Sequence, residues 1–223
     1  MSQRVTRREI LLGTAGAAAA GLLRCAGVAV GPDADADAGA ATPACPQTPD
    51  NPLGHAYLEG APFRTELNVL GWPGEPLEIV GQVRGPDCKT PIARALIDVW
   101  SADSDGQYDG VADAGTPDPS WPLRGRLYAA EDGHYSLTTL LPGFETGRTR
   151  HVHVRVSAPG YLTLVTQIYF AALPENAQDA LIRPGLITPL HDHGKSLHVV
   201  FPLILGSKAD ARRPLRPRPR RRI

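Results

Sequence analysis

Apolar and polar residues alternate along several short stretches of the chain. The clearest alternation lies in residues 77–83, LEIVGQV, and indicates a half-buried β-strand. Comparable apolar stretches, separated by turn residues such as Asp132-Gly133 and Pro159-Gly160, occur at residues 95–100, 135–140, 151–157, 162–170 and 196–205. Helical signals are confined to one short segment, about Pro174–Ile182. This pattern predicts an all-β fold, a β-sandwich with long loops and little helix.

The first 30 residues have the composition of an export signal. Arginines at positions 4, 7 and 8 precede an apolar, Ala- and Gly-rich run that ends at Arg24. The segment TRREIL, residues 6–11, resembles a twin-arginine address, so we predict export to the periplasm or beyond the cell, with membrane contact only through the signal. A short membrane anchor and a lipid on Cys25 are the alternatives.

Three further segments follow this signal. Residues 31–50 are rich in Asp, Ala and Pro and predict a flexible linker, whereas residues 51–207 are long enough for one domain with its own core. Residues 208–223 include seven arginines among prolines and predict a disordered basic tail. The tail could bind anionic lipid or nucleic acid, although a solvated terminus is the simpler interpretation. The chain has a formal net charge of zero, and its middle gives no support to a nucleic-acid partner.

Three cysteines occur in the chain, and Cys25 would leave with the signal. The remaining pair, Cys45 and Cys88, predicts a disulfide in an exported protein. That bond would join the end of the linker to the domain.

Two His-x-His motifs are candidate metal sites. His151 and His153 lie in a predicted strand, so both imidazoles would point to the same side and could chelate a first-row metal. Two solvated histidines on an outer face are the alternative. His191 and His193 lie among Pro and Gly residues, and a surface loop is the favoured interpretation there.

Several spaced segments resemble the signature of intradiol catechol dioxygenases. The segment 95–110, ALIDVWSADSDGQYDG, resembles the strand and acidic loop that deliver an iron-binding tyrosine in that family. The resemblance continues through the ordered segments 123–125, 133–135, 141–143, 147–154 and 166–170. Residues 45–63 resemble the short lead segment of the exported branch of the family.

The resemblance implies an iron site and its neighbours. It makes Tyr108 a tyrosinate ligand and His151 and His153 imidazole ligands of Fe(3+). It places Arg148 beside the substrate ring, where a fixed cation stabilises developing negative charge, and it makes Gln167 a residue that orients substrate or oxygen. Phenolate and imidazole together suit ferric iron.

One position departs from the family pattern. The family usually has a second tyrosine ligand, and the corresponding residue here is Glu145. Glu145 could bind the metal, dissociate and act as a base. Alternatively, this donor set could favour ferrous iron or zinc, or the chain could have kept the fold and lost the reaction.

The resemblance implies intradiol cleavage of a catechol-type diol by ferric iron and dioxygen, giving a muconate-type dicarboxylate. The competing hypothesis is a non-catalytic or catalytically altered exported metal-binding β-sandwich module. The sequence leaves the exact catechol open, and it leaves the oligomeric state open, with a homodimer among the assemblies that the resemblance implies.

Overall fold

The structure, a computed structural model, describes residues 45–108 and 120–211. The predicted signal, most of the linker and the arginine-rich end of the tail lie outside these residues, so those assignments remain predictions. None of the helices within the described ranges is long and apolar enough to cross a bilayer.

Within the described residues ten strands form two sheets, and the all-β prediction is confirmed. In chain order they are β1 (Pro76–Arg84), β2 (Leu96–Ser101), β3 (Arg124–Tyr128), β4 (His134–Leu140), β5 (His151–Ser157), β6 (Leu164–Phe170), β7 (Ile187–Thr188), β8 (His191–Asp192), β9 (Leu197–Val200) and β10 (Leu203–Ile204). Two short helical turns, a 3-10 turn at Pro174–Ala177 and α1 at Lys208–Ala211, complete the described secondary structure.

The two sheets have different connectivity. In the first sheet, β1 pairs antiparallel with β4 and parallel with β9 and β10, and β8 extends it beyond β9. In the second sheet the order is β3-β2-β5-β6-β7, antiparallel except at the β6–β7 pair. The candidate site residues on strands belong to this second sheet.

The core consists of the apolar side chains that alternate along these strands. In β5 the core side chains are Val152, Val154 and Val156, so the two histidines of this strand lie on its opposite face. Further core residues come from both sheets, among them Leu77, Ile79, Ile97, Val99, Leu137, Ile168, Val199 and Leu203. Because every second side chain along these strands is buried, the alternation of apolar and polar residues in the sequence predicts most of the strands.

The predicted helix over residues 174–182 is wrong beyond its first turn. A 3-10 turn covers only Pro174–Ala177, with no side-chain cap at its start and no buried residue. Downstream, the Asp179 carboxylate accepts hydrogen bonds from Arg148, Thr149 and the N–H of Leu181. The turn has no apolar face to bury, and these side-chain bonds hold the following backbone in a non-helical path.

The predicted last strand, residues 196–205, is divided in two. β9 ends before Phe201-Pro202 and β10 begins at Leu203, because proline has no N–H to donate to the ladder. β3 was not predicted, since its sequence RGRLY carries two arginines and a glycine in place of an apolar alternation.

The described end of the predicted linker is attached to the domain. Thr48 exchanges hydrogen bonds with Ile204 through its backbone N–H and its hydroxyl, and Pro49 accepts one from Thr166. Cys45 and Cys88 form the predicted disulfide, with their Cα atoms 5.7 Å apart. At the other end, the first residues of the predicted disordered tail form α1.

Candidate metal centre

Strand β5 brings two imidazoles together at one buried point. The Nε2 atoms of His151 and His153 are 3.0 Å apart, and the phenol oxygen of Tyr108 lies 3.4 Å from His151 Nε2. The two histidines are only 3% and 2% exposed. The alternative of solvated histidines on an outer face is therefore wrong, because this face of the strand is covered.

The protonation of the two imidazoles suits a metal. His151 Nδ1 donates a hydrogen bond of 2.7 Å to the Thr149 carbonyl, which leaves the Nε2 lone pair free. Burial lowers the pKa of His151 to about 4, although the bond to Thr149 opposes that shift. Burial, together with the neighbouring His151, also lowers the pKa of His153. Both rings are therefore neutral near pH 7, and their Nε2 atoms face each other.

The donor set fits a transition-metal ion. Donors about 2.1 Å from one ion and at right angles to each other lie about 3 Å apart, which is close to the separations of His151 Nε2 from His153 Nε2 and from the Tyr108 oxygen. Within residues 45–108 and 120–211, no group of three His, Cys, Asp or Glu side chains could hold a metal, whereas the phenol oxygen of Tyr108 lies within reach of the two imidazoles as a candidate third donor. Burial, and then the charge of Glu145, raises the pKa of that phenol well above its ordinary value. A bound cation would supply the positive charge that its ionisation requires.

Packing fixes the second imidazole. The His153 ring stacks on the indole of Trp100, with centroids 4.8 Å apart and planes within 9°. On the lead segment, a Cβ at Gly54 would lie 3.0 Å from His153 Cε1, and φ there is +80°. Glycine at this position lets the backbone approach the ring closely without steric strain.

The loop that carries Tyr108 is held by a local carboxylate. Asp103 Oδ1 accepts hydrogen bonds from the backbone N–H groups of Asp105 and Gln107, at 2.9 Å each. At Gly106, φ is +82° and an added Cβ would lie 2.1 Å from the carbonyl oxygen of Phe144. The Tyr108 loop therefore packs directly against the loop that carries Glu145.

Glu145 lies beside the metal donors. Its Oε2 atom is 3.6 Å from His151 Nε2, and its Oε1 atom is 3.8 Å from His55 Nδ1. The side chain is 21% exposed, so it contacts both the buried histidine and solvent. This is the position at which the sequence comparison expects the second tyrosine of the family.

A buried network holds Arg148 next to these donors. Its guanidinium donates to Asp179 Oδ2 at 2.9 Å, to Gln167 Oε1 at 2.5 Å and to the hydroxyl of Tyr169 at 2.8 Å. Tyr169 in turn donates to the same Gln167 oxygen, and Gln167 Nε2 donates to the carbonyl of Pro52. The amide of Gln167 is therefore bonded within the protein at both ends.

The strand register explains this grouping. β6 places Gln167 opposite His153 and Tyr169 opposite His151, while β2 places Trp100 opposite His153 on the other side. Residues two apart on one strand share a face of the sheet, and so do the residues paired with them on the neighbouring strands. One covered face of the second sheet thus carries most of the site.

Two solvent-accessible cavities share Glu145, and the smaller one also includes Tyr108 in its lining. One has a volume of about 370 Å³ and is lined, among the described residues, by Phe144, Glu145, Gly147, Arg148, Thr149, Glu175, Gln178 and Asp179. The other has about 290 Å³ and is lined by His55, Gly106, Gln107, Tyr108, Glu145 and Thr146. An aromatic diol could approach the donors from this side.

The structure brings together all six side chains that the sequence assigned to the site. It adds four that the sequence analysis missed, namely His55, Trp100, Tyr169 and Asp179. Trp100 and Tyr169 lie within the family-like segments 95–110 and 166–170, and the structure pairs each of them with one of the two histidines. His191 and His193 lie instead on the first sheet, where His193 stacks on His198.

A family model described as Dioxygenase matches residues 56–197, which is more than half of the chain. The chain belongs to the intradiol ring-cleavage dioxygenase family. The match covers the positions of Tyr108, Glu145, Arg148, His151, His153 and Gln167.

Curated relatives within this family are dioxygenases. The chain is 31% identical to chlorocatechol 1,2-dioxygenase of Rhodococcus opacus over 164 residues, covering 62% of this chain and 63% of the relative. It is 33% identical to 6-chlorohydroxyquinol 1,2-dioxygenase of Cupriavidus pinatubonensis over 137 residues, covering 52% and 48%. The chain therefore spans less than two thirds of the length of these relatives.

Solved structures match a larger share of this chain. The dioxygenase domain of a dioxygenase carbohydrate-binding protein fusion from Streptomyces sp. SirexAA-E is 36% identical, with a TM-score of 0.65, covering 73% of this chain and 99% of that one. Catechol 1,2-dioxygenase from Acinetobacter sp. ADP1 is 26% identical, with a TM-score of 0.64, covering 72% and 63%. Both likenesses support the same fold and family.

Proposed function

We propose that this dioxygenase-family protein opens the ring of a catechol-type diol between its two hydroxyl-bearing carbons, using dioxygen and non-haem ferric iron. The observation that carries the proposal is the convergence of Tyr108, His151 and His153 beside the anchored guanidinium of Arg148. The names of the curated relatives agree with this reaction class.

Tyr108, His151 and His153 would hold the iron. Bound there, ferric iron would supply Lewis-acid chemistry that polarises the diol and withdraws electron density from its ring. In the net reaction the bond between the hydroxyl-bearing carbons breaks and both atoms of dioxygen enter a muconate-type dicarboxylate. The atoms and electrons balance without an external reductant.

Arg148 would stabilise negative charge on the substrate. Its partners Asp179, Gln167 and Tyr169 hold the guanidinium in place before substrate arrives, and a fixed cation costs no reorganisation as charge develops. Gln167 contributes to this arrangement because its carbonyl oxygen accepts bonds from both Arg148 and Tyr169.

Glu145 would act as the base. Its carboxylate lies 3.6 Å from His151 Nε2, between the donors and the solvent-accessible cavities. A carboxylate there can accept the proton that a diol hydroxyl releases and pass it to water. It would thus act at the position where the family usually has a second tyrosine ligand.

The test is to measure metal content, the visible spectrum and turnover on the full chain after iron reconstitution. We expect near-stoichiometric iron, a phenolate-to-iron band that shifts to longer wavelength with catechol, and consumption of catechol and dioxygen in equal amounts. Tyr108→Phe is the matched variant, since it removes only the hydroxyl and should abolish the band.

Iron-loaded protein that consumes neither catechol nor dioxygen would contradict the proposal. That outcome would favour a non-catalytic metal-binding β-sandwich module, for which the replacement of the second tyrosine by Glu145 is the supporting observation.

A further inference from the structure

The larger cavity beside the donors has an acidic wall. Its described lining includes the carboxylates of Glu145, Glu175 and Asp179 and a single guanidinium, that of Arg148. Glu175 lies on the exposed 3-10 turn, and no Lys or Arg within residues 45–108 and 120–211 forms an ion pair with it. The described residues that line this cavity therefore carry more negative than positive charge.

The positive charge of Arg148 is partly balanced by a carboxylate within the protein. Asp179 forms an ion pair with its Nε atom at 2.9 Å, and the Asp179 side chain is almost completely buried. Burial opposes ionisation, but the N–H groups of Leu181 and Thr149 and the Arg148 guanidinium keep the pKa of Asp179 below its ordinary value. With this pair neutral overall, the remaining charged side chains in the described lining of the cavity are those of Glu145 and Glu175.

Two further arginines of the described chain have partners outside the cavity lining, and one of them, Arg124, donates to the carbonyl of Ala56. The guanidinium carbon of Arg150 lies 4.4 Å from the centroid of the Phe144 ring, and the guanidinium donates a hydrogen bond to the carbonyl of Pro142. In the smaller cavity, His55 faces Glu145 at 3.8 Å. Residues 109–119, which follow Tyr108 in the chain, contain three Asp and no Lys or Arg, so they add no positive charge wherever they lie.

We infer that this cavity selects diols whose ring substituent is neutral or cationic and discriminates against diols that carry a ring carboxylate. The inference rests on the proposed function, because it assumes that the diol binds at the Tyr108, His151 and His153 donors. A carboxylate placed near Glu145 and Glu175 would be repelled, whereas an ammonium group would be attracted.

The test uses three ring-matched diols, namely 3,4-dihydroxybenzylamine, 3,4-dihydroxybenzyl alcohol and 3,4-dihydroxybenzoate. Binding to the iron-loaded full chain is measured by calorimetry without oxygen, and kcat/KM is measured separately in air. We expect affinity to fall from the amine to the alcohol to the carboxylate, with about a tenfold difference between the two charged diols. Added salt should reduce that difference.

A charge reversal at the cavity wall sharpens this test. In Glu175→Lys, the ratio of carboxylate to amine affinity should rise about tenfold, while Glu175→Gln should give about a threefold rise. Glu131→Lys makes the same charge change in the exposed turn before β4 and is the control that should leave the ratio unchanged.

The outcomes separate the inference from the proposed function. If binding follows the expected order but no ring is opened, the inference stands and the proposed function fails. If catechol is cleaved while the carboxylate binds as tightly as the amine, the inference is overturned and the proposed function stands. Failure to bind any of the three diols would also overturn the inference.

Discussion

The chain contains two His-x-His motifs with the same spacing and opposite environments. His151 and His153 lie on a strand inside the second sheet, are almost fully buried, and bring their Nε2 atoms within 3.0 Å. His191 and His193 lie at the outer edge of the first sheet and are exposed. The predicted loop there includes the two-residue strand β8, which pairs with β9.

The difference shows that spacing alone does not make a chelate. On β5, burial keeps the imidazoles neutral, a carbonyl fixes one tautomer, and Trp100 and Gly54 fix the other ring. At the second motif, the His193 ring stacks face to face on the His198 ring, with their planes within 11°. Because the nitrogen lone pairs lie in the ring planes, the two stacked rings do not direct them at a common point. The surrounding packing therefore decides which motif can bind a metal.

The largest effect should come from removing one buried imidazole. We expect His151→Ala to lower iron affinity more than 100-fold, because loss of a direct ligand exceeds the roughly 10–100-fold effect of losing an outer partner. His191→Ala is the matched control and should retain wild-type iron content. Metal analysis after dialysis against a graded chelator series checks both variants, and full iron retention by His151→Ala would contradict the assignment.

Burial of the first motif should also make the metal-free protein sensitive to acid. The pKa of His151 is lowered from about 6.5 to about 4 by burial, so the unfolded chain binds a proton as the pH falls through 6.5 while the folded chain does not. Stability should therefore decrease between pH 6.5 and 4 and level off below, by on the order of 3 kcal/mol from this group.

Urea unfolding of the metal-free protein at pH 7 and pH 4.5 measures this loss. His151→Gln cannot take up the proton, so its free energy of unfolding should decrease less than that of the wild type over the same interval. Equal losses in the two proteins would show that burial does not keep His151 neutral.

Sequence reasoning located the first motif well because the information there is local. The bounds of β5 are those predicted, since alternating valines and the following Ala158-Pro159-Gly160 turn define them. The second motif was correctly placed at the surface from its Pro and Gly neighbours. The ordered family segments also identified Tyr108, Arg148 and Gln167, which the structure brings to one face.

The contacts that the sequence could not supply join residues far apart in the chain. Asp179 forms an ion pair with Arg148, 31 positions away in the chain. Local helix propensity contains no information about this contact, so the sequence around Asp179 predicts that the helix continues. His55 and Gly54 approach the metal donors from the lead segment, whose path over the sheet depends on tertiary packing. Glu145 could be identified as a departure, but its distance from His151 required the structure.

A smaller effect should follow from disturbing the cation beside the first motif. Asp179→Asn keeps the size of the side chain but removes the charge that holds Arg148. We expect kcat/KM for catechol to fall about 10–100-fold with iron content unchanged, since Asp179 positions Arg148 and does not contact the donors.

Asp98→Asn is the matched control for that variant, because Asp98 forms a comparable ion pair with Arg155 at 3.1 Å. Both variants should lose stability in urea unfolding, and only Asp179→Asn should lose turnover while keeping its iron. Similar turnover in the two variants would assign Asp179 a purely structural role.

The smallest effect concerns how closely the lead segment packs on His153. Gly54 and Gly160 have similar φ angles, +80° and +84°. A Cβ at Gly54 would lie 3.0 Å from the His153 ring, whereas a Cβ at Gly160 would have no neighbour within 4 Å. Alanine at either position should cost about 1 kcal/mol of unfolding free energy, because φ is positive. Only Gly54→Ala should also displace His153 and weaken iron binding several-fold, as measured by chelator competition. Equal iron affinity in the two alanine variants would show that packing by the lead segment does not help to distinguish the buried motif from the exposed one.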